Sequence, residues 1–255
     1  MIFDTHSHYD DEAFDEDREE LFASFPEKGI GTVVTVGADI ATSKAALELA
    51  GAHDSVYAAI GVHPTETGTL DDDGIEWLRA HSADEKVVAI GEIGLDYHWN
   101  KPAPDIQKIW FEKMIALAGE AGLPIIIHSR EAAEDTMRII RDTKAYECGG
   151  VIHCYSYSAE MAREYVKMGY FIGVGGVLTF SNGRRLKETV AALPMEHIVL
   201  ETDCPYLAPE PDRGKRNDST KLVRVVEEIA RIKGMTCDEV IRVTEQNARR
   251  LYRLP

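Results

Sequence analysis

The chain has 255 residues, of which 44% are hydrophobic and 28% are charged, and its formal net charge is −16. This composition is typical of a folded globular protein, and no apolar run approaches the ~18 residues that a membrane span requires. The acidic charge argues against a long nucleic-acid groove built on general basicity, but it allows a compact phosphate site. We expect one domain over residues 1–255, and a cytoplasmic protein because no signal peptide precedes the first strand.

Eight apolar runs of strand length alternate with helix-length amphipathic segments along the chain. The strands are predicted at residues 1–8, 30–37, 56–62, 87–94, 124–129, 149–155, 170–176 and 198–204. This α/β alternation favours parallel strands joined by right-handed crossovers, and eight such strands close into a (β/α)8 TIM barrel. The alternative is an open doubly wound sheet, which usually carries a glycine-rich phosphate loop that this sequence lacks.

The helical segments are predicted from the 3.6-residue period of their apolar side chains. Between the fourth and fifth strands, for example, Ile106 and Met114 fall on one helical face. Two more helices are expected after the last strand. The second of these begins near Thr236, which together with Glu239 has the spacing of a capping box.

Histidines and carboxylates recur at the carboxyl ends of the predicted strands. The first strand ends in the segment DTHSH, which places His6 and His8 one residue apart. Because alternate residues of a strand share a face, these two imidazoles point the same way, and Asp4 lies deeper on that face, where it is placed to orient an imidazole. Imidazoles and carboxylates bind divalent transition metals, so His6 and His8 are predicted metal ligands.

Glu92 follows an apolar run in the fourth strand, and no basic residue follows it before Lys101. A carboxylate that is buried in this position needs a cation, and two metal ions that share it, about 3.5–4 Å apart, would meet that need. His128 and His153 each close an apolar run on neighbouring strands. Together they indicate a second metal, so we expect two divalent ions per subunit, Zn, Mn or Mg.

The eighth predicted strand ends in the segment ETD, which contains two carboxylates. Glu201 and Asp203 would share a face if the strand continued through them. Asp203 is nearer the mouth of the barrel and is therefore the predicted metal ligand and general base, with Glu201 as a supporting partner. Asp203 and Glu92 are thus the predicted catalytic residues.

Further residues are predicted to contact the substrate. His63 ends the third strand, where a capping role is the alternative, and Arg130 follows the fifth strand with a guanidinium suited to phosphate. Lys215 and Arg216 belong to the most basic stretch of the chain, after strand eight, where barrel loops often bind phosphate; a solvated loop is the alternative. The loop after strand four, which includes Trp99, is expected to form part of the substrate wall.

Taken together, these segments resemble the TatD family of metal-dependent deoxyribonucleases, which have an amidohydrolase-like barrel. The matching segments follow the family's order: DTHSH at 4–8, GEIGLD at 91–96, PIIIHSR at 124–130, HCYS at 153–156, GVGG at 173–176, ETDCPY at 201–206 and RGKRN at 213–217. The resemblance implies that one metal ion is held by His6, His8, Glu92 and Asp203, and the other by Glu92, His128 and His153.

The sequence departs from the family pattern at three places. Tyr9 and Tyr157 stand where an aliphatic residue and a glycine are more usual, and Asp218 and Ser219 replace the usual Glu/Gln-Pro pair. None of these residues is a predicted ligand. Tyr157 and the loop change would bear on substrate preference.

The expected function is hydrolysis of DNA phosphodiester bonds from an end of the strand, by a water molecule that the two metals activate and Asp203 deprotonates. DNA or another phosphodiester is the expected partner, and no membrane or obligate protein partner is expected. One alternative is a C–N or ester hydrolase, although such barrels commonly carry a modified lysine on strand four, where this chain has Glu92. A non-catalytic metal-binding protein is disfavoured because the ligand set leaves open positions for water.

Overall fold

The computed structural model describes residues 1–99 and 101–255. Its strands are β1 (Ile2–Ser7), β2 (Ile30–Val36), β3 (Val56–Ile60), β4 (Val87–Asp96), β5 (Ile125–Arg130), β6 (Gly150–Ile152), β7 (Phe171–Val174) and β8 (Ile198–Leu200). Its α-helices are α1 (Arg18–Ser24), α2 (Ile40–Ala52), α3 (Asp72–His81), α4 (Pro104–Ala121), α5 (Ala133–Asp142), α6 (Ala159–Lys167), α7 (Arg184–Ala192), α8 (Leu222–Lys233) and α9 (Cys237–Tyr252).

The eight strands form one parallel sheet in sequential order, from β1 to β8. The sheet closes on itself beyond the end of β8, where Ser7 bridges Cys204 and the His8 amide donates to the Cys204 carbonyl at 2.8 Å. The predicted (β/α)8 barrel is therefore confirmed, and the open sheet is excluded. Parallel strands place all their carboxyl ends, and the residues that follow them, at one end of the barrel.

Alternate strand residues build two separate apolar clusters. One fills the barrel interior with side chains such as Phe3, Val88 and Val199, and α9 caps this cluster with Leu251 and Tyr252. The other cluster lies between the strands and the surrounding helices. α9 begins at the predicted capping box, since the Thr236 and Glu239 side chains each accept a hydrogen bond from the other residue's backbone amide.

Of the four register shifts between the described strands, two lie at residues of the predicted site. Asp4 pairs with Val33 but Ser7 pairs with Thr35, and β4 likewise advances three residues while β5 advances two between the pairs Ile90–Ile125 and Ile93–Ile127. Each bulge adds one residue and re-aims the neighbouring side chains. The first bulge lies next to His6 and the second contains Glu92.

The last three predicted strands each end at least two residues earlier than expected. β6 stops at Ile152, β7 at Val174 and β8 at Leu200, so His153 and Asp203 lie in the following loops. The chain leaves the sheet through residues with positive φ, 45° at Cys154 and 58° at Asp203.

The predicted buried face of α4 was wrong at its first turn. Ile106 is 42% exposed, whereas the neighbouring Gln107 is fully buried. Gln107 is buried because its amide pairs with backbone groups, as described below. Among the described residues, no helix is both long and apolar enough to cross a membrane.

Candidate metal centre and active site

The structure brings all six predicted ligands together at the carboxyl-terminal end of the barrel. They are His6, His8, Glu92, His128, His153 and Asp203. Five of them, all except His6, line an open cavity of about 630 Å³. That volume lies within the range of about 300–1,000 Å³ that is usual for small-molecule sites.

Four of these side chains converge on one point. The Nε2 atom of His6 lies 3.2 Å from Nε2 of His8 and 3.4 Å from Oε2 of Glu92. Oδ1 of Asp203 lies 3.3 Å from His8 Nε2 and 3.8 Å from His6 Nε2. Ligands held about 2.0–2.1 Å from a tetrahedral ion stand about 3.3 Å apart, so these spacings fit a divalent cation between them.

The hydrogen bond on the far side of the His8 ring supports the same conclusion. Nδ1 of His8 lies 2.8 Å from the Val36 carbonyl, which can only accept, so Nδ1 carries a proton. In the neutral ring, Nε2 then presents a lone pair toward His6 and Asp203. Several lone pairs that face one another require a cation to bind them.

The second group surrounds the other carboxylate oxygen of Glu92. Oε1 lies 2.8 Å from Nδ1 of His128 and 3.7 Å from Nε2 of His153. Nδ1 of His153 donates to Oε2 of Glu201 at 3.1 Å, which leaves its Nε2 turned toward the centre. Glu201 is held in turn by the Cys154 amide, which donates to Oε1 at 2.6 Å. The two oxygens of Glu92 therefore face two different sets of imidazoles.

Asp96 is a site residue that the sequence reasoning missed. Its Oδ2 atom lies 3.0 Å from Nε2 of His128, and the residue is only 1% exposed. Gln107 fixes the end of β4, because its side chain accepts from the Asp96 amide at 2.8 Å and donates to the Asp96 carbonyl at 2.9 Å. Glu92, Gly94 and Asp96 alternate along β4, so the same-face spacing that identified His6 and His8 would have identified Asp96.

The charges of the site favour bound cations. Burial lowers the pKa of a histidine, but the Asp203 carboxylate outweighs burial and raises the pKa of His8 to about 9. For His153, Glu201 and Glu92 likewise outweigh burial and raise the pKa to about 10. Burial raises the pKa of Glu92, yet the surrounding histidines hold it well below its ordinary value. In the absence of metal, protons on these imidazoles occupy the place of the cations.

His63 lies on the wall of the cavity, and one of its ring nitrogens lies within 4.8 Å of ligand atoms of Glu92 and His128. Its Nε2 atom is 3.9 Å from Oε1 of Glu92, and its Nδ1 atom is 2.7 Å from the Thr65 hydroxyl. Burial lowers the pKa of His63 to about 4, so the ring is neutral at pH 7. A neutral imidazole in this position can donate a hydrogen bond to a substrate or accept one from it.

The predicted phosphate-binding cations separate into two groups. Arg130 lines the cavity and makes no ion pair within residues 1–99 and 101–255. Contrary to expectation, Lys215 and Arg216 do not line the cavity. Lys215 pairs with Asp212 at 2.7 Å, and the guanidinium of Arg216 makes two bonds to the Asp17 carboxylate, at 2.7 and 2.6 Å. Arg216 thus joins the loop after β8 to the segment after β1.

Asp4 was predicted to orient an imidazole, but in the structure its carboxylate does not contact a histidine ring. The neighbouring bulge breaks the alternation, and the Asp4 carboxylate instead accepts from the Thr202 hydroxyl at 2.7 Å and the Ser219 hydroxyl at 2.6 Å. Burial raises the pKa of Asp4 to about 7. Asp4 therefore braces the loop that carries Asp203 rather than a ligand ring.

The model of the TatD related DNase family matches residues 3–253 of this chain. The chain belongs to the TatD family. It is 45% identical over 254 residues to the metal-dependent hydrolase YabD of Bacillus subtilis (strain 168), with all of both chains covered. It is 30% identical over 257 residues to the 3'-5' ssDNA/RNA exonuclease TatD of Cronobacter sakazakii, covering 98% of this chain and 97% of that relative.

Solved structures agree with the TatD assignment. The crystal structure of YJJV, a TatD homologue from Escherichia coli K12, superposes with a TM-score of 0.93 at 29% identity and covers 100% of this chain and 98% of that one. An organophosphorus hydrolase from Deinococcus radiodurans has a TM-score of 0.66 at 16% identity, covering 98% of this chain and 92% of that one, and it shares the fold alone. This TatD protein is a metal-dependent hydrolase.

Proposed function

We propose that the protein is a deoxyribonuclease that removes nucleotides from an end of DNA by phosphodiester hydrolysis, with two divalent ions at the barrel mouth. The observation that carries the proposal is that the two carboxylate oxygens of Glu92 face different histidines. Oε2 lies 3.4 Å from His6, and Oε1 lies 2.8 Å from His128. A carboxylate in this position suits a bridge between two ions. The exonuclease name of the Cronobacter sakazakii relative favours a nucleic-acid substrate over other phosphodiesters.

The ligand sets follow from the two groups of side chains. One ion, Zn, Mn or Mg, would be held by His6, His8, Glu92 and Asp203, and the other by Glu92, His128 and His153. Bound there, divalent ions acidify water and neutralise the charge that develops on phosphoryl oxygens. Glu201 and Asp96 would hold the rings of His153 and His128 in place from behind.

Asp203 is the proposed general base. Burial raises its pKa, but the hydrogen bond with His8 and the nearby imidazoles hold the pKa below its ordinary value, so the carboxylate is ionised and able to accept a proton. The Asp203 side chain is 19% exposed, whereas that of Glu201 is 2% exposed. Both oxygens of Glu201 are already bonded, so an attacking water can reach Asp203 but not Glu201.

Arg130 is the proposed phosphate-binding residue, because its guanidinium is exposed beside the cavity and unpaired among the described residues. His63 would donate a hydrogen bond to the same phosphate or to the leaving group. A direct phosphate contact by Lys215 or Arg216 is not part of this proposal, since both are engaged with aspartates. A lysine-bridged C–N or ester hydrolase is less well supported, because the described cavity lining includes no lysine.

The proposal is tested by digestion of end-labelled DNA with metal-loaded protein. Wild-type protein reloaded with Mn²⁺, Mg²⁺ or Zn²⁺ should shorten the DNA from one end. Glu92→Ala should lose most bound metal and essentially all activity, whereas Glu48→Ala on the exposed face of α2 should retain both. Metal analysis separates the two claims. Full metal content in Glu92→Ala would contradict the bridge, and an inactive, fully loaded wild type would contradict the nuclease assignment.

A further inference from the structure

Two aromatic side chains stand exposed near the cavity. Trp99 is 63% exposed in the loop after β4, and Tyr206 is 57% exposed in the loop after β8. Three strands separate β4 from β8 in either direction around the closed barrel. The two loops therefore stand on opposite sides of the mouth, with the metal centre between them.

Trp99 is connected to the cavity through two contacts. Its amide donates to Oδ1 of Asp96 at 3.1 Å, and the other oxygen of that carboxylate faces His128. The guanidinium of Arg130, which lines the cavity, lies 6.0 Å from the centre of the Trp99 ring system. The indole and the cation thus form one continuous surface at this side of the mouth.

Tyr206 lies on the opposite wall, where it lines the cavity directly. Its amide donates to the Asp203 carbonyl at 2.9 Å, so the ring is anchored close to the proposed base. Its hydroxyl donates to Oδ2 of Asp11 at 3.2 Å, which limits rotation of the side chain while leaving the ring exposed.

The charge of the protein limits the contribution of lysine and arginine to nucleic-acid binding. The net charge is −16, and within the described residues Arg130 is the single basic side chain other than histidine that lines the cavity. Attraction between phosphates and lysine or arginine, which supplies most non-specific nucleic-acid affinity, is therefore weak here. Base stacking on exposed aromatic rings can replace it, and bases within a strand reach such rings most readily in single strands, where they can be splayed out.

We propose that Trp99 and Tyr206 stack on the bases that flank the scissile phosphate, which would give this chain a physical basis for the single-strand substrate named for the Cronobacter sakazakii relative. This inference rests on the proposed nuclease function, and it attributes the affinity of the protein for DNA to base stacking. The Arg130 guanidinium, next to Trp99, would meet the phosphate between the two stacked bases.

Kinetics on two substrates test the proposal. Trp99→Ala and Tyr206→Ala should each raise KM for a single-stranded oligonucleotide about 10-fold or more, with little change in kcat. On the same oligonucleotide with abasic tetrahydrofuran residues at its ends, the two variants should have the same KM as the wild type, because no base remains to stack. Trp99→Phe and Tyr206→Phe should restore most of the affinity. Equal effects on both substrates, or none on either, would overturn the proposal.

A binding measurement separates this proposal from the nuclease assignment. In metal-free protein, the fluorescence anisotropy of a labelled single-stranded oligonucleotide should report weaker binding by both alanine variants. Tyr146→Ala is the matched control, since this exposed tyrosine precedes β6 and so lies at the opposite end of the barrel. If wild-type protein binds base-bearing and abasic strands equally, stacking is refuted even when DNA is cleaved. If base-dependent binding is found without cleavage, only the nuclease proposal fails.

Discussion

Asp203 takes its position from contacts far along the chain rather than from a strand. β8 ends at Leu200, and the amides of Thr202 and Asp203 both donate to the His6 carbonyl, at 3.2 and 2.9 Å. The positive φ of Asp203, 58°, turns its carboxylate toward His8, while Glu201 faces His153. The sequence-based argument from strand alternation was therefore wrong for this pair, because it could not include a contact between segments that are distant in sequence.

Replacement of Asp203 by Asn tests its role as base. The substitution keeps the shape of the side chain but removes its ability to receive a proton, so kcat at saturating metal should fall about 10²–10⁴-fold. Glu201→Gln provides the comparison, and it should act mainly by lowering metal affinity, about 10–100-fold, through the His153 ring. Steady-state assays with metal titrations distinguish the two. A near-normal kcat in Asp203→Asn would transfer the role to another group, with His63 the next to replace.

Arg130 and Lys215 should respond differently to removal of charge. Arg130→Ala should raise KM for DNA about 10–100-fold and weaken the dependence of KM on salt, since a charged hydrogen bond to phosphate is lost. Lys215→Ala should change KM less than about 2-fold, because this 71% exposed side chain pairs with Asp212 outside the cavity. Assays at several salt concentrations compare them. A larger effect of Lys215→Ala would place the phosphate on the loop after β8.

Two departures from the family pattern, Tyr9 and Ser219, are in direct contact with each other. The Tyr9 hydroxyl lies 2.7 Å from the Ser219 hydroxyl and accepts from the Ser219 amide at 2.9 Å. The Ser219 hydroxyl donates in turn to the Asp4 carboxylate at 2.6 Å. A proline at position 219 would supply neither the amide hydrogen nor the hydroxyl, so the buried phenol of Tyr9 would be left without partners. The pair thus supports the loop that carries Asp203.

β4 is the element that organises the site, because it carries both Glu92 and Asp96 along one buried strand. Gln107 in the first turn of α4 holds the end of this strand, with three hydrogen bonds to the backbone of Asp96 and Pro102 at 2.8–2.9 Å. A polar residue is therefore buried where the apolar pattern of α4 predicts an apolar face. Asp96 in turn supports His128.

Removal of the Gln107 amide should affect both stability and the site. Gln107→Leu leaves buried backbone groups unpaired, so we expect the free energy of unfolding to fall by about 2 kcal/mol or more. Metal affinity should also decrease, because Asp96 loses its support. Urea unfolding and metal titration measure the two effects, with Gln246→Leu at an exposed position of α9 as the control. Unchanged stability in Gln107→Leu would show that Asp96 is held by other contacts.

The alternation of elements and the clustering of the six predicted ligands were accessible from the sequence because their signals are local. Apolar runs, helical periods and the capping box at Thr236 each span a few residues, and the barrel follows from their order. The bulges at His6 and Glu92 and the engagement of Arg216 with Asp17 depend on neighbours that are distant in sequence. No local pattern encodes them, so the face of Asp4 was predicted wrongly, and the pairing of Lys215 and Arg216 with aspartates was not foreseen.

Four carboxylates of this acidic chain lie together at the barrel mouth. Glu92, Asp96, Glu201 and Asp203 surround the histidines within one buried cluster. Within this cluster, the histidines lower the pKa of the Glu92 carboxylate, and the carboxylates raise the pKa of the His8 and His153 imidazoles. Protons and metal ions therefore compete for the same imidazoles.

This competition determines how the metal-free protein responds to pH. The folded pKa values of His8 and His153, about 9 and about 10, lie above the ordinary value of 6.5. Their protonation therefore stabilises the metal-free fold fully below pH 6.5, and this contribution is lost as pH rises through 9 and 10. Urea unfolding of metal-free protein should show decreasing stability between pH 8 and 10.

Metal binding should then release protons, since an imidazole must be neutral to act as a ligand. At pH 7 we expect at least two protons per protein, from His8 and His153, so metal affinity should rise as the pH is raised from 6.5 toward 9. Calorimetric titration of Mn²⁺ or Zn²⁺ in two buffers with different ionisation enthalpies measures the number released. His197→Gln, which lies at the amino-terminal side of β8 away from the cavity, is the control and should release the same number. If the observed enthalpy were independent of the buffer, the imidazoles would already be neutral in the metal-free protein, and the carboxylates around them would not hold the charge that we assign to them.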